Sequence, residues 1–567
     1  MRYEEIVHRM RACATTDPLN RRTFLMGTLA GGAALAGRPL LARTPVATPV
    51  FAETPFTLGI ASGEPLPDGV VLWTRLAPSP FEPGGGMPQA PAEVGWQIAV
   101  DDQMRAIVQS GTAVADPAWG HSVHVEVAEL EPDRPYWYQF TSGNAESPVG
   151  RTKTAPAPGT TPDSFRFAFA SCQRWDHGLY TAYRELATQD VDLVVHLGDY
   201  IYEYGIGLGE QLRPGDYPGH LAKTATTLDD YRYRYALYKL DPHLQEAHRV
   251  APWIVTWDDH EVVNNFFGAI NRDLPAAQGL LAQRAAAYQA HYEHQPLRKA
   301  AIPAGPDLQL FRHRAYGDLV EFNVLDTRQY RTAQGTSCNA DLREEGGGFC
   351  PDSLDPARTM LGERQKGWLL DRFDQITARW NVLAQQVPFA RVDNDPDPEA
   401  QSFGGREMDK WDGYAHERDE VAAMMASAAR ARGFMPVVIT GDVHANYVWD
   451  LKSDWDDQTD ATVYGTEFVG TSISSEGDEP LFEDGGFTTE CGNRNGNAHN
   501  YLYDNHRGYA LCDLTADRWE TTYRIVPTVR DPNAEVSTLT AFVVEHGRPG
   551  AQLSQACTDR EPSGKTG

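Results

Sequence analysis

The stretch WIVTWDDHE at residues 253–261 joins an apolar run directly to four polar residues. Runs of about five apolar, partly β-branched residues bounded by glycine or polar residues predict buried strands. Three further stretches have the same pattern: FRFAFASC at 165–172, LVVHLGD at 193–199 and PVVITGDVH at 436–444. Buried strands of α/β layers present ligands outside their carboxyl ends. We therefore expect these four strand ends to meet at one crevice.

The polar residues at and just after these strand ends are of types that bind metal ions. They offer thiolate, carboxylate, phenolate, amide and imidazole donors, namely Cys172, Asp199, Tyr202, Asp258, Asp259, Asn264, Asn265, Asp442 and His444. Without cations, such a cluster is penalised by like-charge repulsion and desolvation. Taken singly, each residue has a structural interpretation, as a core cysteine, a turn aspartate or a capping asparagine. Their occurrence together at four strand ends favours a metal site.

Length and charge narrow the class of protein. The chain has 567 residues with 41% hydrophobic content, enough for a large core and too long for one domain. Its net charge is −28, from 78 acidic and 50 basic residues, which argues against binding nucleic acid or anionic membranes through bulk electrostatics. An anionic substrate would need a locally positive site, for which metal ions are the obvious source. No internal stretch approaches the roughly 18 apolar residues of a transmembrane span.

The N-terminus has the pattern of an export signal. The motif NRRTFLM at 20–26 precedes a weakly hydrophobic, Gly/Ala-rich run at 27–36 and resembles a twin-arginine signal. Small residues at 50–52 predict cleavage before Glu53, with 45–47 as a rival site and a chance Arg-Arg pair as the alternative. We expect residues 1–52 to engage the twin-arginine export machinery, and a periplasmic, cell-wall-associated or extracellular location.

The seven cysteines are compatible with an oxidising compartment. Cys13 lies in the predicted signal, and Cys338 and Cys350 bracket a glycine-rich loop and are predicted to form a local disulfide. One more pair is expected among Cys491, Cys512 and Cys557, whose connectivity the sequence leaves open.

Residues 53–153 are predicted to form an all-β module. Short strands at 69–75, 94–100, 121–127 and 136–140 alternate with turn residues, and LEPDRPYWY at 130–138 is typical of the tyrosine corner of immunoglobulin-like or fibronectin-like sandwiches. The proline-rich segment 154–162 is a predicted linker.

Residues 163–541 are predicted to form the catalytic domain, and 542–567 a polar C-terminal segment. Helices are predicted at 180–188, 229–239, 276–292 and 362–373, and further strands at 319–325, 380–384, 467–470 and 509–514. This alternation predicts an α/β sandwich with mixed sheets.

The motif series resembles that of calcineurin-like and purple-acid-phosphatase-like metallophosphoesterases, and within them the PhoD-type alkaline phosphatases. The motifs that carry the resemblance are ASGEP at 61–65, FASCQ at 169–173, HLGDYIYE at 196–203, WDDHEVVNN at 257–265, DTRQYR at 326–331, WDGY at 411–414 and GDVH at 441–444. They occur in family order over nearly all of the predicted mature chain. The resemblance implies a four-layer metallophosphoesterase sandwich behind the all-β module.

The resemblance also implies a ligand set. Cys172, Asp199, Tyr202 and His444 would surround one Fe³⁺, since thiolate and phenolate are strong donors to a hard ion. Asp259 and Asp442 stand where the broader family has asparagine and histidine, which favours oxygen-loving Ca²⁺, one or two ions, at the neighbouring position. Asp258 and one of Asn264 or Asn265 would complete that shell.

The function implied is hydrolysis of phosphate monoesters and diesters by a metal-bridging oxide or hydroxide attacking phosphorus. His260 is the predicted acid for the leaving alkoxide. Arg328 and Arg391, which follow other strand ends, are predicted phosphate clamps, with surface salt bridges as the alternative. We expect a monomer.

Two rival functions remain open. The same site could act mainly on diesters, including phospholipids in the manner of a phospholipase D, which the pocket rim would decide. The chain could instead be a secreted binding protein whose large domain is catalytically inactive. None of the predicted ligands is missing, however, and neither is His260.

Overall fold

A computed structural model describes residues 49–206, 212–213, 217–268, 277–333, 351–392, 408–455, 457, 459–477, 487–492 and 497–559. The predicted signal up to residue 48 and the predicted Cys338–Cys350 disulfide lie outside these residues. All four strands that carry the predicted ligands are present. They are Phe165–Ala170, Leu193–His196, Pro252–Val255 and Met435–Thr440.

The strands are β1 (Ile60–Leu66), β2 (Gly69–Arg75), β3 (Ala92–Ala99), β4 (Ile107–Ala115), β5 (Ser122–Val127), β6 (Pro135–Ser142), β7 (Ala145–Glu146), β8 (Gly150–Lys153), β9 (Phe165–Ala170), β10 (Leu193–His196), β11 (Pro252–Val255), β12 (Arg312–Tyr316), β13 (Val320–Val324), β14 (Trp380–Ala384), β15 (Met435–Thr440), β16 (Asn446–Lys452), β17 (Val463–Val469), β18 (Thr489–Glu490), β19 (Asn500–Asp504), β20 (Arg507–Leu514), β21 (Arg518–Val526), β22 (Ser537–Glu545) and β23 (Arg548–Gln555).

The α-helices within the described ranges are α1 (Thr181–Leu186), α2 (Leu228–Lys239), α3 (Pro242–Val250), α4 (Ala277–His294), α5 (Gly362–Phe373) and α6 (Ala415–Arg432). Helix α2 begins at a capping box, in which the Thr227 hydroxyl accepts from the Asp230 N–H and the Asp230 carboxylate accepts from the Thr227 N–H. Helix α6 ends at Gly433, whose φ of 80° is the left-handed conformation common after helix C-termini.

Two large mixed sheets form the centre of the fold. The ten-stranded sheet has the order β23-β22-β21-β20-β9-β10-β11-β1-β2-β5, and the eight-stranded sheet has the order β12-β13-β14-β15-β17-β16-β19-β18. Strands β9, β10 and β11 pair in parallel, as do β13, β14, β15 and β17. Their carboxyl ends therefore lie at one edge of each sheet, as predicted.

The core is divided into layers. Between the two sheets lie side chains from both, including Phe167 and Val195 of the ten-stranded sheet and Phe322 and Val437 of the eight-stranded sheet. The outer face of the ten-stranded sheet packs on α1–α4, and the outer face of the eight-stranded sheet packs on α5 and α6. This α/β/β/α arrangement confirms the predicted four-layer sandwich.

The all-β region extends the large sheet as well as forming its own. Strand β1 pairs in parallel with β11 and antiparallel with β2, so β1, β2 and β5 continue the ten-stranded sheet. A five-stranded sheet of β4-β3-β6-β7 with β8 packs across from them. The predicted tyrosine corner is present, since the Tyr136 hydroxyl accepts the N–H of Glu131 at 2.9 Å. The domain boundaries named above stay a prediction.

The described part of the C-terminal segment, up to residue 559, is held by strand pairing and by a disulfide. Strand β23 pairs with β22, and Cys491 is bonded to Cys557. One of the disulfides that the sequence left open is thus assigned, while Cys172 and Cys512 are free and buried. Helices α3 and α6 and the strands β21–β23 are elements that the sequence patterns did not predict.

Candidate metal centre

The four strand ends converge where the two sheets meet. Leu193–His196 and Pro252–Val255 flank each other beside Phe165–Ala170 in the ten-stranded sheet, and Met435–Thr440 faces them from the eight-stranded sheet. Gly441 allows this approach, because a Cβ at that position would lie 2.3 Å from the Ser171 hydroxyl. Gly198 has φ of 111°, and a Cβ at that position would lie 2.5 Å from the backbone nitrogen of Asp258. The glycines before Asp199 and Asp442 therefore let the loops touch.

Several of the predicted ligands occupy left-handed backbone conformations. Their φ angles are 58° at Cys172, 55° at Asp199, 54° at Asn265, 66° at Asp442 and 53° at His444. Residues other than glycine rarely adopt such angles, and those that do concentrate at functional sites, where the surrounding fold holds them. The backbone thus aims these side chains into the crevice at a conformational cost.

One donor group combines Cys172, Asp199 and His444, whose ligand atoms lie within 4.8 Å of one another. The Tyr202 hydroxyl joins them, donating to Asp199 Oδ2 at 2.8 Å and lying 3.2 Å from His444 Nε2. The Ser475 hydroxyl lies 2.8 Å from both the Tyr202 hydroxyl and the Cys172 carbonyl. The structure brings together all four residues that the sequence predicted for this position.

The imidazole of His444 is oriented as a ligand. Its Nδ1–H donates to the carbonyl of Glu476, which leaves the lone pair on Nε2, the atom that faces Tyr202. Histidines that bind metals commonly use the other ring nitrogen in this way. Burial and the cationic Arg507 lower the pKa of His444 to about 3, so the ring is neutral and able to coordinate.

Two further donor groups adjoin the first. Asp199, Asp259 and His260 form one, and Asp258, Asp259 and Asp442 form the other, each with ligand atoms within 4.8 Å. Asp199 belongs to two of the three groups and Asp259 to two, so the groups are contiguous. Among the described residues, the buried Oδ2 of Asp258 has no hydrogen-bond partner. A buried, unpartnered carboxylate oxygen among other carboxylates suits a cation.

Arg328 lies inside the carboxylate group and is fully buried. Its guanidinium contacts Asp258, lies 2.9 Å from Asp442 and 3.5 Å from Asp259, and contacts Asp409, a residue the sequence reasoning missed. Arg328 is therefore placed as a counter-ion to these carboxylates, and its role as a phosphate clamp stays a prediction. Arg331 holds the other oxygen of Asp409 at 2.6 Å.

The carboxylates outnumber the cations around them, and the pKa of several of them is raised, whereas that of Asp259 is lowered to about 2 because Arg328 and His260 outweigh its burial. Burial, with added repulsion from Asp259 and Asp442, raises the pKa of Asp199 to about 7 despite the nearby His260. Burial raises the pKa of Asp258 well above its ordinary value, although Arg328 opposes this. Burial likewise raises the pKa of the Cys172 thiol. Without bound metal ions, repulsion among these buried carboxylates is only partly balanced by the protein.

Glu261 ties two of the loops together. Its carboxylate accepts the backbone N–H groups of Asp199 at 3.0 Å, Tyr200 at 2.6 Å and Asp258 at 2.7 Å. The side chain is 1% exposed. Sequence reasoning noted Glu261 only as part of a motif, because a carboxylate that binds backbone is indistinguishable in sequence from one that binds metal.

His260 is held by Glu203. The His260 Nδ1 lies 2.8 Å from Glu203 Oε2, and Glu203 Oε1 accepts the N–H of Asn264 at 2.8 Å. Burial lowers the pKa of His260, but the carboxylates of Glu203, Asp259 and Asp199 outweigh it and raise the pKa well above 6.5. The ring stacks on Tyr202 with centroids 4.2 Å apart. A protonated imidazole therefore faces the donor groups.

The remaining predicted residues are less central. The Asn264 N–H is used by Glu203, and the Asn265 N–H donates to Asp259, so both asparagines border the second donor group. The carbonyl of Arg391 accepts from His499 Nε2 at 2.9 Å. Its role as a clamp stays a prediction.

Arg174, which the sequence reasoning missed, lies at the crevice. Its guanidinium lies 4.9 Å from the Tyr204 ring and 5.8 Å from the Tyr202 ring, and Asp176 holds it through two contacts of 3.0 and 3.2 Å. Its position directly after the Cys172-Gln173 motif is the signal that could have found it.

Comparison with known proteins gives a consistent result. Residues 167–523 match the model of the PhoD-like phosphatase family, and residues 42–156 match that of the PhoD-like phosphatase N-terminal domain. Alkaline phosphatase D of Bacillus subtilis (strain 168) is 43% identical over 526 residues, covering 90% of this chain and 84% of that protein. The solved structure of PhoD superposes with a TM-score of 0.79 at 42% identity, covering 90% of this chain and 94% of that chain. Among the described residues, none of the helices has the length and apolar character needed to cross a bilayer.

Proposed function

The chain belongs to the PhoD-like phosphatase family and is a phosphatase, and from that premise we propose that it is an exported, metal-dependent enzyme that hydrolyses phosphate monoesters and diesters. The observation that carries the metal dependence is the adjacency of two donor groups, Cys172–Asp199–His444 and Asp258–Asp259–Asp442, because ligand atoms of Asp199 and Asp259 also lie within 4.8 Å of each other. A single cluster of acids is common on proteins, but two adjacent buried groups are suited to neighbouring cations.

We assign Fe³⁺ to Cys172, Asp199, Tyr202 and His444, and Ca²⁺, one or two ions, to the oxygen donors of Asp258, Asp259 and Asp442, with Asn264 or Asn265. The first set supports this because its thiolate and phenolate are strong donors and His444 presents a neutral Nε2. The second set offers oxygen alone, which suits calcium. Cations bound here would supply Lewis-acid chemistry, lowering the pKa of water and neutralising charge on the phosphoryl oxygens.

His260 is the proposed general acid. Its raised pKa keeps the ring protonated near neutral pH, and its Nδ1 is engaged by Glu203, so the proton on Nε2 is the one available to a leaving alkoxide. Glu203 is a positioning residue, since it fixes the ring and stabilises its positive charge, while the backbone of Asn264 holds the other oxygen of Glu203.

Arg174 is the proposed cation for the substrate phosphoryl group. The chain carries a net charge of −28, so an anionic ester needs local positive charge at the entrance. Arg174 lies over the rings of Tyr202 and Tyr204 with its side chain 22% exposed, whereas Arg328 is fully buried among carboxylates. Arg174 is thus the better placed of the two to meet substrate oxygens.

The experiment that tests this function is metal analysis and visible spectroscopy of protein exported through its own N-terminus, with assays of p-nitrophenyl phosphate and bis-p-nitrophenyl phosphate. We expect iron, calcium, a charge-transfer band and hydrolysis of both esters, with chelation of calcium abolishing turnover. Tyr202→Phe should remove or shift the band while Tyr204→Phe leaves it unchanged. A colourless, active protein that contains zinc or manganese would contradict the assignment of Fe³⁺ to Cys172 and Tyr202.

The ratio of the two rates ranks monoesterase against diesterase. A strong preference for the diester, extending to phosphatidylcholine vesicles, would support a phospholipase D type of activity instead.

A further inference from the structure

A second cavity lies in the all-β region, away from the metal centre. It is a groove of about 430 Å³ between β4 and β5, the edge strands of the five-stranded and ten-stranded sheets, and β5 is three strands from β11 in the sheet order. The residues that line it include Trp96, Thr112, Asp116, Trp119, His124 and Lys299.

The indole of Trp96 lies flat on the sheet at one wall of this groove. Trp96 pairs across the strands with Gly111 of β4, and a Cβ at Gly111 would lie 2.8 Å from Cζ2 and 3.0 Å from Nε1 of the indole. Any side chain at 111 would displace the ring. Glycine at this position therefore lets the indole cover the strand, with the ring at the groove and only half-buried.

The facing wall is a second aromatic group. Trp119 meets Tyr292 edge to face at 5.6 Å, and His124 stacks on Tyr292 at 4.3 Å. The His124 ring is fixed, because its Nε2–H lies 2.9 Å from the Tyr292 carbonyl and 3.0 Å from the Gln295 carbonyl. Rigid aromatic rings on both walls give a preformed surface for a flat ligand.

Hydrogen-bonding groups are interspersed with the rings. Thr112, Asp116, Ser122, Glu126 and Lys299 also line the groove. The two carboxylates and one ammonium give no excess of positive charge, so the groove does not suit an anion such as phosphate. The density of polar groups equally does not suit a lipid tail, whose burial would leave them unpaired.

Two exposed apolar side chains lie at the rim of this groove. Val114 and Ile302, 52% and 44% exposed, line the groove, and Ile107 and Val108 are exposed on the same strand β4. Val114 and Ile302 are two of the eight large hydrophobic residues found exposed among the described residues, whereas Ile107 and Val108 do not line the groove. Exposed apolar side chains at the rim of a cavity favour an interaction site.

We propose that the groove between β4 and β5 binds a neutral saccharide. A pyranose ring has an apolar face of C–H bonds and a rim of hydroxyls, which matches indole rings bordered by hydroxyl, carboxylate and ammonium groups. The sugar face packs on Trp96 and Trp119, and its hydroxyls bond to Asp116 and Lys299. This site is separate from the phosphatase activity.

The proposal is tested by calorimetric titration of the full, metal-loaded chain with cellohexaose, maltohexaose and tri-N-acetylchitotriose, each to about 10 mM, so that a Kd of about 1 mM is still measurable. We expect wild-type protein to bind at least one of the three. Trp96→Ala and Trp119→Ala should each weaken that binding at least tenfold, as should Gly111→Val, which displaces the indole without removing it.

The matched control is Trp137→Ala, a half-buried tryptophan on β6 of the same sheet that does not line the groove; it should leave binding unchanged. All four variants should hydrolyse p-nitrophenyl phosphate at the wild-type rate. If Trp96→Ala does not fold, Trp119→Ala and the exposed Lys299→Ala decide the matter. Failure of wild-type protein to bind any of the three sugars, or binding that survives both Trp119→Ala and Trp96→Ala, would overturn the proposal.

Discussion

Two buried carboxylate sites in this molecule have opposite electrostatic balances. At the junction of β1 and β12, the single carboxylate of Glu64, 1% exposed, is bound by Arg312 and Arg314. Although burial raises it, these arginines lower the pKa of Glu64 to about 2. At the metal centre, burial and mutual repulsion instead raise the pKa of Asp199 to about 7 and that of Asp258 well above its ordinary value.

The difference lies in the count of compensating groups within the protein. Glu64 has an excess of cationic partners, and Arg298 also donates to its backbone carbonyl at 2.8 Å. Asp258, Asp259, Asp409 and Asp442 share the guanidinium of Arg328, with Arg331 at Asp409 and Lys410 3.8 Å from Asp442, so four carboxylates face three cations. A buried carboxylate whose charge is balanced by arginines of the protein has a structural role. A group of buried carboxylates whose charge the protein does not balance is suited to binding metal ions from solution.

The largest expected effect tests the acid at the metal centre. His260→Ala should lower turnover by about 10²–10⁴-fold, because the leaving alkoxide loses its proton donor. Metal content should be unchanged, since the shared ligands Asp199 and Asp259 remain. The measurement is steady-state hydrolysis of p-nitrophenyl phosphate with metal analysis of the same sample.

Glu203→Gln is the matched variant for His260, and should cost about 10–100-fold, as for other residues that orient a functional group. It should also lower the alkaline-side pKa of the activity profile, because the imidazolium loses its carboxylate and deprotonates at lower pH. Turnover in His260→Ala equal to that of wild type would remove the histidine from the mechanism.

Glu64→Gln tests the compensated site. It leaves Arg312 and Arg314 buried without their carboxylate, so the free energy of unfolding should fall by about 3–5 kcal/mol, with turnover at 25 °C unchanged. The thermal midpoint measures this. The control is Glu131→Gln, which removes an exposed ion pair with Arg134 and should cost less than about 1 kcal/mol. Equal effects of the two substitutions would show that burial of charge is not what stabilises this junction.

The sequence predicted which side chains meet at the crevice because each follows its own strand. A strand end places a side chain at a sheet edge wherever the strand lies, so Cys172, Asp199 and His444 could be brought together without knowing the strand order. The position of Arg328 could not be predicted in this way. It follows β13 of the eight-stranded sheet but contacts Asp258 from the other sheet, and such pairing depends on how the sheets stack.

Helix α6 and the pairing of β1 with β11 were not predicted from the sequence, each for a physical reason. The apolar stripe of α6 is mostly alanine, with Val421 and Met425 as the larger buried residues, so its periodicity is weak. The pairing of β1 with β11 joins residues 62–63 to residues 252–253, a long-range contact that no local pattern records. For this reason the all-β region was predicted as a separate sandwich, whereas three of its strands extend the large sheet.

The pH dependence of stability should have opposite sign at the two sites. The pKa of Asp199 is raised from 3.8 to about 7, so its stabilising contribution is present below pH 4 and is lost as the pH rises towards 7. The pKa of Glu64 is lowered from 4.5 to about 2, so its contribution is present above pH 4.5 and lost as the pH falls towards 2. In metal-stripped protein Asp199 should therefore lower the thermal midpoint as the pH rises from 4 to 7, against the opposite contribution of buried histidines such as His196 and His291, whose pKa burial lowers to about 3.

Asp199→Asn should remove this contribution, so the thermal midpoint of the stripped variant should change less negatively with pH between 4 and 7 than that of stripped wild type, and Glu64→Gln should leave the slope in this range unchanged. Rebound metal should also remove the contribution of Asp199, because the cations replace protons as the compensation for the carboxylates. A slope that persists unchanged in Asp199→Asn would assign the effect to groups outside the metal centre.

The smallest expected change in stability comes from removing an uncharged hydrogen bond, which serves as a reference for the two charged sites. Tyr136→Phe removes the hydroxyl that accepts the N–H of Glu131 in the tyrosine corner, and should cost about 0.5–1.5 kcal/mol as one neutral hydrogen bond. Its thermal midpoint should fall between those of wild type and Glu64→Gln, and its difference from the wild-type midpoint should not depend on pH between 4 and 7. If Tyr136→Phe is as damaging as Glu64→Gln, loss of packing explains both, and the charge balance that separates the Glu64 junction from the metal centre would no longer account for their stability.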